Sequence, residues 1–221
     1  MEEAEEAGIP VILMDSDLEG RERSGYIGMD HKEAGKLAGE DMIAVTGGNA
    51  HIGMIVSDTD DSAQRLRMEG FLSAINPHKN MIVEETFESR SDRIRIRKLV
   101  SGMLQDNKRI NAIFCADQTA ADMLGDILQE EGYSKNNMKV VCFGMSREIY
   151  KYLQDGTYTF SVMNDTVEMG YQAVKTLKDC INGKSGEKRI VYTEIENADK
   201  DFDFESWKAE WENRERSCMM S

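Results

Sequence analysis

Short apolar segments alternate with longer segments of helical periodicity along most of this chain, and this alternation limits the folds that it can adopt. Apolar runs begin near His51, Met81, Asn111 and Met138, at intervals of about 30 residues, which is the length of a βαβ unit. A helix-like segment follows each run. Strands joined in this way lie parallel and are connected by right-handed crossovers. The sequence therefore predicts an α/β fold with mostly parallel, doubly wound sheets.

The segments on either side of this repeat predict further elements of the same kind. Before it, residues 9–14 predict a buried strand, and residues 31–45 predict a helix with Asp30 as its N-cap and Glu33 completing a capping box. After it, the pattern predicts a helix at 147–154, a strand at 157–163, a helix at about 165–182 that Gly183 stops, and a last strand at 189–195. The apolar residues of helix 165–182 form one stripe: Val167, Val174, Leu177 and Ile181.

The charge and the apolar runs argue against two classes of partner. The chain has 221 residues, with 27 Lys and Arg against 41 Asp and Glu and a net charge of −14, which disfavours general binding to nucleic acid. The longest uncharged apolar runs, such as 9–14, are far too short to cross a bilayer. The first six residues are mostly acidic, so no signal peptide is visible there.

Signatures of metals, cofactors and catalysis do not appear in the sequence. The four cysteines form no C-x-x-C pair and the three histidines are scattered, which gives neither a zinc site nor a disulfide framework. The glycine-rich segment 47–53 precedes a strand, and both the Walker and the dinucleotide signatures are absent. We therefore assign no catalytic residue, no metal and no cofactor, and expect a protein that is not an enzyme.

Polar side chains follow almost every predicted strand, where doubly wound sheets bind their ligands. Many of these residues are also ordinary helix N-caps, which is the simpler interpretation of any one of them. Capping does not account for the arginines among them, and carboxylates, amides and arginine together suit a neutral polyhydroxylated ligand. The residues are Asp15, Ser16, Asp17, Ser57, Asp58, Asp60, Asp61, Arg65, Ser89, Arg90, Asp92, Asp117, Gln118, Gly144, Ser146, Asn164 and Asp165.

Several segments, in a specific order, resemble the type I periplasmic binding proteins, and the ribose-binding branch most of all. The resemblance runs from about residue 3 to 200 and also includes the effector domains of lactose-repressor-like regulators. It rests on segments 7–12 (AGIPVI), 26–30 (YIGMD), 34–39 (AGKLAG), 65–71 (RLRMEGF), 111–117 (NAIFCAD), 140–144 (VVCFG) and 154–156 (QDG), and on the helix that ends in Asn182, Gly183 and Lys184.

The resemblance implies two lobes. Residues 1–29 and 165–191 would form a partial first lobe, residues 30–164 and 192–200 a complete second lobe, and residues 201–221 a C-terminal extension. Family members have about three βα units before the strand at 9–14, so the first lobe is expected to be incomplete, with an open strand edge and possible self-association. In the extension, Trp207 and Trp211 predict a short helix that packs on the body or meets a partner.

Carried over position by position, the resemblance implies five ligand contacts: Asp15, Arg65, Asp117, Phe143 and Asn164. Two positions depart from the family pattern. Ser16 stands where the family often has arginine, and Gly144 stands where it often has aspartate. The loss of that carboxylate argues against a ribose-like ligand.

The sequence leaves several functions open. The first is a solute-binding protein for a sugar or polyol, which closes about a hinge and serves uptake through an ABC transporter permease or chemosensing. The others are the effector domain of a regulator or sensor, a doubly wound enzyme, and a truncated product that folds without binding. The family implies a periplasmic or cell-surface location; without a signal peptide the chain would be cytoplasmic if it is the whole product.

Overall fold

The computed structural model describes residues 1–18, 20, 22–183 and 189–219, which form two compact units. The smaller unit comprises Met1–Asp30, Asn164–Ile195 and Asp203–Ser221, and the larger unit comprises His31–Met163 and Glu196–Phe202. The segment that the sequence assigned to a separate C-terminal extension is thus grouped with the smaller unit from Asp203 onward.

Helices and strands alternate along the chain as the periodicity predicts. The helices are α1 (Glu2–Glu6), α2 (His31–Thr46), α3 (Ser62–Ile75), α4 (Arg93–Asp106), α5 (Gln118–Glu130), α6 (Arg147–Asp155), α7 (Thr166–Ile181) and α8 (Phe204–Met219). The strands are β1 (Ile12–Met14), β2 (Gly25–Gly28), β3 (Asn49–Val56), β4 (Asn80–Glu88), β5 (Ala112–Cys115), β6 (Lys139–Phe143), β7 (Phe160–Asn164), β8 (Arg189–Tyr192) and β9 (Ile195–Ala198).

The larger unit is built on a six-stranded sheet in the order β4-β3-β5-β6-β7-β9. The pairs from β4 to β7 are all parallel. Strand β5 is buried at every position, as expected of a strand covered on both faces. The Phe114 ring packs against Phe71 from α3 at a centroid distance of 4.1 Å and meets Phe143 edge-on at 5.9 Å. The predicted doubly wound parallel sheet is therefore confirmed.

Side-chain caps set the starts of four helices that follow these strands. Asp61 accepts a hydrogen bond from the backbone N–H of Gln64, and Asp92 accepts one from Arg95. Asp117 and Ser146 cap α5 and α6 in the same way. Each cap satisfies an N–H group that has no partner within the first turn. Helix α2 begins at His31 as predicted, while the capping box of Asp30 and Glu33 stays a prediction.

Helices α2 and α3 approach each other so closely that only glycine fits at the contact. A Cβ atom on Gly70 would lie 2.0 Å from the carbonyl oxygen of Lys32, and one on Gly35 would lie 2.1 Å from that of Arg67. Neither position leaves room for a side chain, because backbone atoms cannot move aside as a flexible side chain can. These two glycines therefore fix how the first helix of the larger unit packs on the second.

The smaller unit is built on a three-stranded parallel sheet in the order β1-β2-β8. Its central strand, β2, is buried at every position, while both outer strands are partly exposed. Helix α7 packs on this sheet, and α8 packs on α7. Within α8 the Phe204 and Trp207 rings stack at 5.8 Å; the Trp211 side chain lies outside the described part of the chain.

Two sequence-based predictions about elements were wrong in detail. The strand predicted at 9–14 contains only Ile12–Met14. The strand predicted at 189–195 is two strands: β8 pairs with β2, and β9 lies beside β7 in the other sheet. On α7, the buried residues are Ala173 and Thr176, while two residues of the apolar stripe, Val174 and Ile181, are exposed.

Candidate functional site

The order of strands in the larger unit creates a topological switch point, the candidate ligand-binding crevice, at the carboxyl ends of β3 and β5. From β3 the chain moves outward to β4, and from β5 it moves in the opposite direction to β6. Helices α3 and α5, which follow these two strands, therefore start on opposite sides of the crevice. Such a switch point is where open α/β sheets bind ligands.

Asp117 lies at this switch point, but its carboxylate is largely occupied by its own chain. Oδ1 accepts hydrogen bonds from the Thr119 backbone N–H (3.0 Å) and the Ser91 hydroxyl (3.2 Å), and Oδ2 accepts one from the Ser89 hydroxyl. Asp117 is also buried. A carboxylate has about four acceptor positions. Since three are taken, the main role of Asp117 in this arrangement is to hold the segment 89–92, which follows β4.

Segment 89–92 has a strained backbone that this network supports. Arg90 and Ser91 have φ angles of 51° and 50°, the left-handed region that residues other than glycine rarely adopt. The Arg90 N–H donates to the Ser57 carbonyl at 2.8 Å, and the Ser91 N–H donates to the Ser89 hydroxyl at 3.0 Å. Strain of this kind persists only where surrounding contacts hold it. The result is an Arg90 side chain that is 65% exposed at the strand ends.

Arg65, a predicted ligand contact, lies in the first turn of α3, where its side chain is partly exposed to solvent. Its guanidinium donates to the Glu69 carboxylate at 3.0 Å, four residues along the same helix, and 36% of the side chain is exposed. An exposed pair of this spacing contributes only about 0.3–0.5 kcal/mol. The ion pair with Glu69 therefore contributes little to holding the guanidinium in place.

Phe143, another predicted contact, is a buried core residue under the crevice. The Arg67 guanidinium carbon lies 4.5 Å from the centre of the Phe143 ring. The same guanidinium donates to the Ala116 carbonyl at 3.0 Å and to His31 Nδ1 at 3.2 Å. Arg67 was missed by sequence reasoning. The available signal was its place on the buried stripe of α3, four residues after Ala63 and four before Phe71, where a charge is unusual.

Gln118 occupies the space that a side chain on residue 144 would fill. Gly144 has a φ angle of 95°, and a Cβ atom there would lie 2.4 Å from the Gln118 side-chain oxygen. The Gln118 amide reaches the Met145 carbonyl at 3.5 Å and is otherwise exposed. The rim of the larger unit therefore presents a neutral amide, able to donate and accept, above Gly144.

The remaining two predicted contacts belong to the smaller unit. Asp15 follows β1 with a φ angle of 61°; its N–H donates to the Ile27 carbonyl at 3.0 Å, and its carbonyl accepts from the Tyr26 hydroxyl at 2.5 Å. Asn164 ends β7 and is half-buried, and among the described residues its amide has no hydrogen-bond partner. The structure thus brings three of the five residues, Arg65, Asp117 and Phe143, to one edge of one sheet.

The titratable groups near the strand ends include a charged carboxylate and two protonated thiols. Hydrogen bonds from Thr59 hold the pKa of Glu88 below its usual range, so that this carboxylate is charged at neutral pH. Burial raises the pKa of Asp122, against a hydrogen bond of 2.6 Å from the Ser146 hydroxyl. Burial also raises the pKa of the Cys142 thiol to about 12, and that of Cys115 well above its usual range. Both thiols are therefore protonated and are poor nucleophiles.

Neither a metal site nor a membrane-spanning helix is present among the described residues, which leave out 19, 21, 184–188, 220 and 221. No group of three or more histidine, cysteine, aspartate or glutamate side chains among them is placed to hold a metal ion. None of their helices is both long enough and apolar enough to span a membrane.

The chain is similar to curated ribose import binding proteins. The ribose import binding protein RbsB of Escherichia coli (strain K12) is 26% identical over 182 residues, which cover 82% of this chain and 60% of that protein. The chain thus spans about 60% of the length of the curated relatives that it matches.

Solved structures show the same likeness. One is GanP, a glucose-galactose binding protein from Geobacillus stearothermophilus, with a TM-score of 0.85 and 26% identity over 90% of this chain and 70% of that one. Another is an ABC transporter solute binding protein from Burkholderia graminis C4D1M in complex with D-arabinose, with a TM-score of 0.86 and the same identity and coverage. The family model described as periplasmic binding protein domain matches residues 1–185. The chain therefore belongs to the periplasmic binding protein family.

Proposed function

We propose that this protein binds a neutral sugar or polyol and acts as a solute-binding component for an ABC transporter. The family is non-enzymatic, and the proposal adds no catalytic step. The main supporting observation is the rim of the larger unit, where the guanidinium groups of Arg65 and Arg90 and the amide of Gln118 lie around the switch point. The Asp117 carboxylate at this point already has hydrogen-bond partners in its own chain. The names of the relatives, which refer to ribose, arabinose, glucose and galactose, support the same class of ligand.

The chemistry of the rim favours an uncharged ligand with several hydroxyl groups. Each hydroxyl donates one hydrogen bond and accepts two, so it needs both kinds of partner. Arg65 and Arg90 supply donors, and Gln118 supplies a donor and an acceptor. Both arginines lie near carboxylates of their own chain, Glu69 and Glu88, which lowers the net positive charge at the rim. These two carboxylates would repel a strongly anionic ligand.

The five residues Asp15, Arg65, Asp117, Phe143 and Asn164 remain our proposed ligand contacts, with roles that differ. We assign Arg65 to direct hydrogen bonding and Asp117 mainly to holding segment 89–92. Phe143 contributes the apolar floor beneath the crevice, where its ring is already stacked under Arg67. Asp15 and Asn164 are proposed as contacts from the smaller unit, and a permease and a periplasmic location are proposed from the family alone.

The experiment that tests the proposal is a thermal-unfolding screen followed by titration calorimetry. The panel contains aldopentoses, aldohexoses and polyols, with sugar acids and amino acids as controls of other chemistry. A ligand that binds only the folded chain stabilises it by about 2.7 kcal/mol at a hundred times its Kd. We expect at least one neutral sugar or polyol to raise the Tm. A panel in which no neutral sugar or polyol raises the Tm would contradict the proposal.

A further inference from the structure

The side chain of Gln64 bridges the ends of the two strands that flank the switch point. Gln64 lies in the first turn of α3 and is buried. Its side-chain oxygen accepts a hydrogen bond from the Ser57 backbone N–H at 3.3 Å, and its side-chain nitrogen donates to the Ala116 carbonyl at 3.3 Å. Ser57 comes directly after β3, and Ala116 comes directly after β5. A single amide thus joins the carboxyl ends of both strands.

The bridge lies where the direct pairing of the two strands ends. The register of β3 with β5 runs as far as Ile55 and Cys115, and one further bond joins the Ala116 N–H to the Ile55 carbonyl at 2.8 Å. Beyond that bond, the Ser57 N–H and the Ala116 carbonyl are bonded to Gln64 instead of to each other. A buried backbone group without a partner costs about as much as a lost hydrogen bond. Gln64 therefore provides the bonds that the diverging strands no longer provide.

The polar groups around Gln64 are bonded to one another at the bottom of the candidate crevice. The Ala116 carbonyl also accepts a hydrogen bond from the Arg67 guanidinium at 3.0 Å, so both of its lone pairs are used. The Ser57 carbonyl accepts one from the Arg90 N–H at 2.8 Å. The exposed donors that we assign to ligand binding lie at the rim instead. The bottom of the crevice is therefore suited to limiting the space for a ligand, while the rim supplies the hydrogen bonds.

We infer that Gln64 forms the floor of this crevice and determines the size of the sugar that the crevice admits. The inference rests on the proposed function and adds a size limit to it. Protein interiors are packed closely, so a side chain between the two strand ends excludes any ligand group that reaches below the rim. Truncation of Gln64 opens a space larger than a hydroxymethyl group. That space exposes the Ser57 N–H and the Ala116 carbonyl, a donor and an acceptor that suit one additional hydroxyl.

Titration calorimetry with pairs of sugars that differ by one hydroxymethyl group tests the inference. The pairs are D-glucose with D-xylose, D-galactose with L-arabinose, and D-allose with D-ribose. Gln64→Ala is expected to raise the ratio of hexose affinity to pentose affinity by about tenfold, the low end for one additional carbon in a pocket. Gln64→Ser opens the same space and is expected to shift the ratio in the same direction. Gln64→Met loses both hydrogen bonds but fills the space, and is expected to keep the native ratio.

The control for a general loss of stability is Ile127→Val, which changes a buried residue near the opposite end of α5 and is expected to lower the Tm without changing the ratio. If the native chain binds a sugar but Gln64→Ala and Gln64→Ser keep the native ratio, the inference is overturned and the proposed function stands. If Gln64→Met shifts the ratio as much as Gln64→Ala, the lost hydrogen bonds are responsible, which also overturns a floor that acts by its volume. A native chain that binds no sugar of any pair contradicts the inference as well, and the wider screen then decides the proposed function.

Discussion

Arg65 and Arg67 stand two residues apart on α3 and have different roles, because the helix turns them to different sides. Arg67 is buried against Phe143 and donates to the Ala116 carbonyl, so it holds the end of β5 to α3. Arg65 is partly exposed and forms an ion pair with Glu69 along its own helix surface. The difference between a core arginine and a ligand-binding arginine is therefore one of burial and partners, not of residue type.

Arg65→Ala is expected to weaken binding of the sugar found in the screen by about 10- to 150-fold, the range for hydrogen bonds from a charged donor. The Tm of the ligand-free protein is expected to change little, because the exposed pair with Glu69 contributes little. Titration calorimetry measures the first effect and thermal unfolding the second. Arg97→Ala is the matched control, since Arg97 pairs with Glu130 at the far end of α5 from the strand ends. Equal affinities for the native sequence and Arg65→Ala would show that Arg65 does not touch the ligand.

Gln118→Ala tests the amide that lies above Gly144. If the amide bonds to a ligand hydroxyl, its loss is expected to weaken binding by about 2- to 12-fold, the equivalent of one neutral hydrogen bond. Folding is expected to be unaffected because the side chain is exposed and its one bond, to the Met145 carbonyl, is long. Gln105→Ala, which removes an exposed glutamine from the last turn of α4, is the control. Unchanged affinity in Gln118→Ala would remove this residue from the site.

Asp41 of α2 gives the larger unit a pH dependence of known sign. Burial raises its pKa to about 6, although a hydrogen bond of 2.8 Å from the Asn197 amide lowers it. The folded chain thus holds this proton more tightly than the unfolded chain. The stability from this group is complete below about pH 4 and is lost as the pH rises through about 6.

Asp41→Asn is therefore expected to stabilise the protein near neutral pH by about 1 kcal/mol, a value reduced for the partial exposure of the group. The gain is expected to disappear near pH 4. Urea unfolding at both pH values measures it, with the exposed Asp106→Asn as control. A gain of the same size at both pH values would mean that it comes from packing and not from titration.

At the scale of elements, alanine substitutions at two glycines within helices distinguish the effect of close helix packing on stability from the effect of helix propensity. Gly70 of α3 contacts α2 through its backbone, and the Cβ atom of Gly70→Ala would meet the Lys32 carbonyl. The helices must then separate, and such overpacking costs about 1–3 kcal/mol or more. Gly102 of α4 has open space around the same atom, so Gly102→Ala is expected to stabilise by up to about 1 kcal/mol.

Thermal and urea unfolding of the two variants measure this contrast. The two substitutions are chemically identical and both lie inside helices, so opposite signs isolate the effect of the α2–α3 contact. A Gly70→Ala variant as stable as Gly102→Ala would show that the two helices pack less closely than described.

Elements were predictable from the sequence where local chemistry defines them. A capping residue just before a helix indicates where that helix begins, because its short polar side chain satisfies a free N–H group of the first turn. Four helices begin in this way, after Asp61, Asp92, Asp117 and Ser146. The division of residues 189–195 between two strands, β8 and β9, was not predictable from the sequence. These residues form one continuous segment of strand-like sequence, but β8 pairs with β2 and β9 lies beside β7, and pairing of that kind depends on distant parts of the chain.

At the scale of the whole molecule, the two sheets differ in how well their strands are protected. Strand β5 is fully buried between β3 and β6, while β1 and β8 are the two edges of a three-stranded sheet. Amide hydrogen exchange is expected to be slowest in β3, β5 and β6 and clearly faster in β1 and β8, because edge strands open without unfolding the core.

The exchange measurement is made at low protein concentration, so that contacts between molecules do not protect β8. Uniformly slow exchange across both sheets at low concentration would contradict the expected difference.

The sequence by itself determined the alternation of strands and helices, the parallel sheets and the polar residues at the strand ends. These follow from periodicity and from short-range capping, which act over a few residues. Only the tertiary structure decided which polar groups remain available. In the folded chain the Asp117 carboxylate accepts hydrogen bonds from Ser89 and Ser91, Arg67 is buried, and Gln118 lies above Gly144. Each of these outcomes depends on which distant residues meet, and no local pattern contains that information.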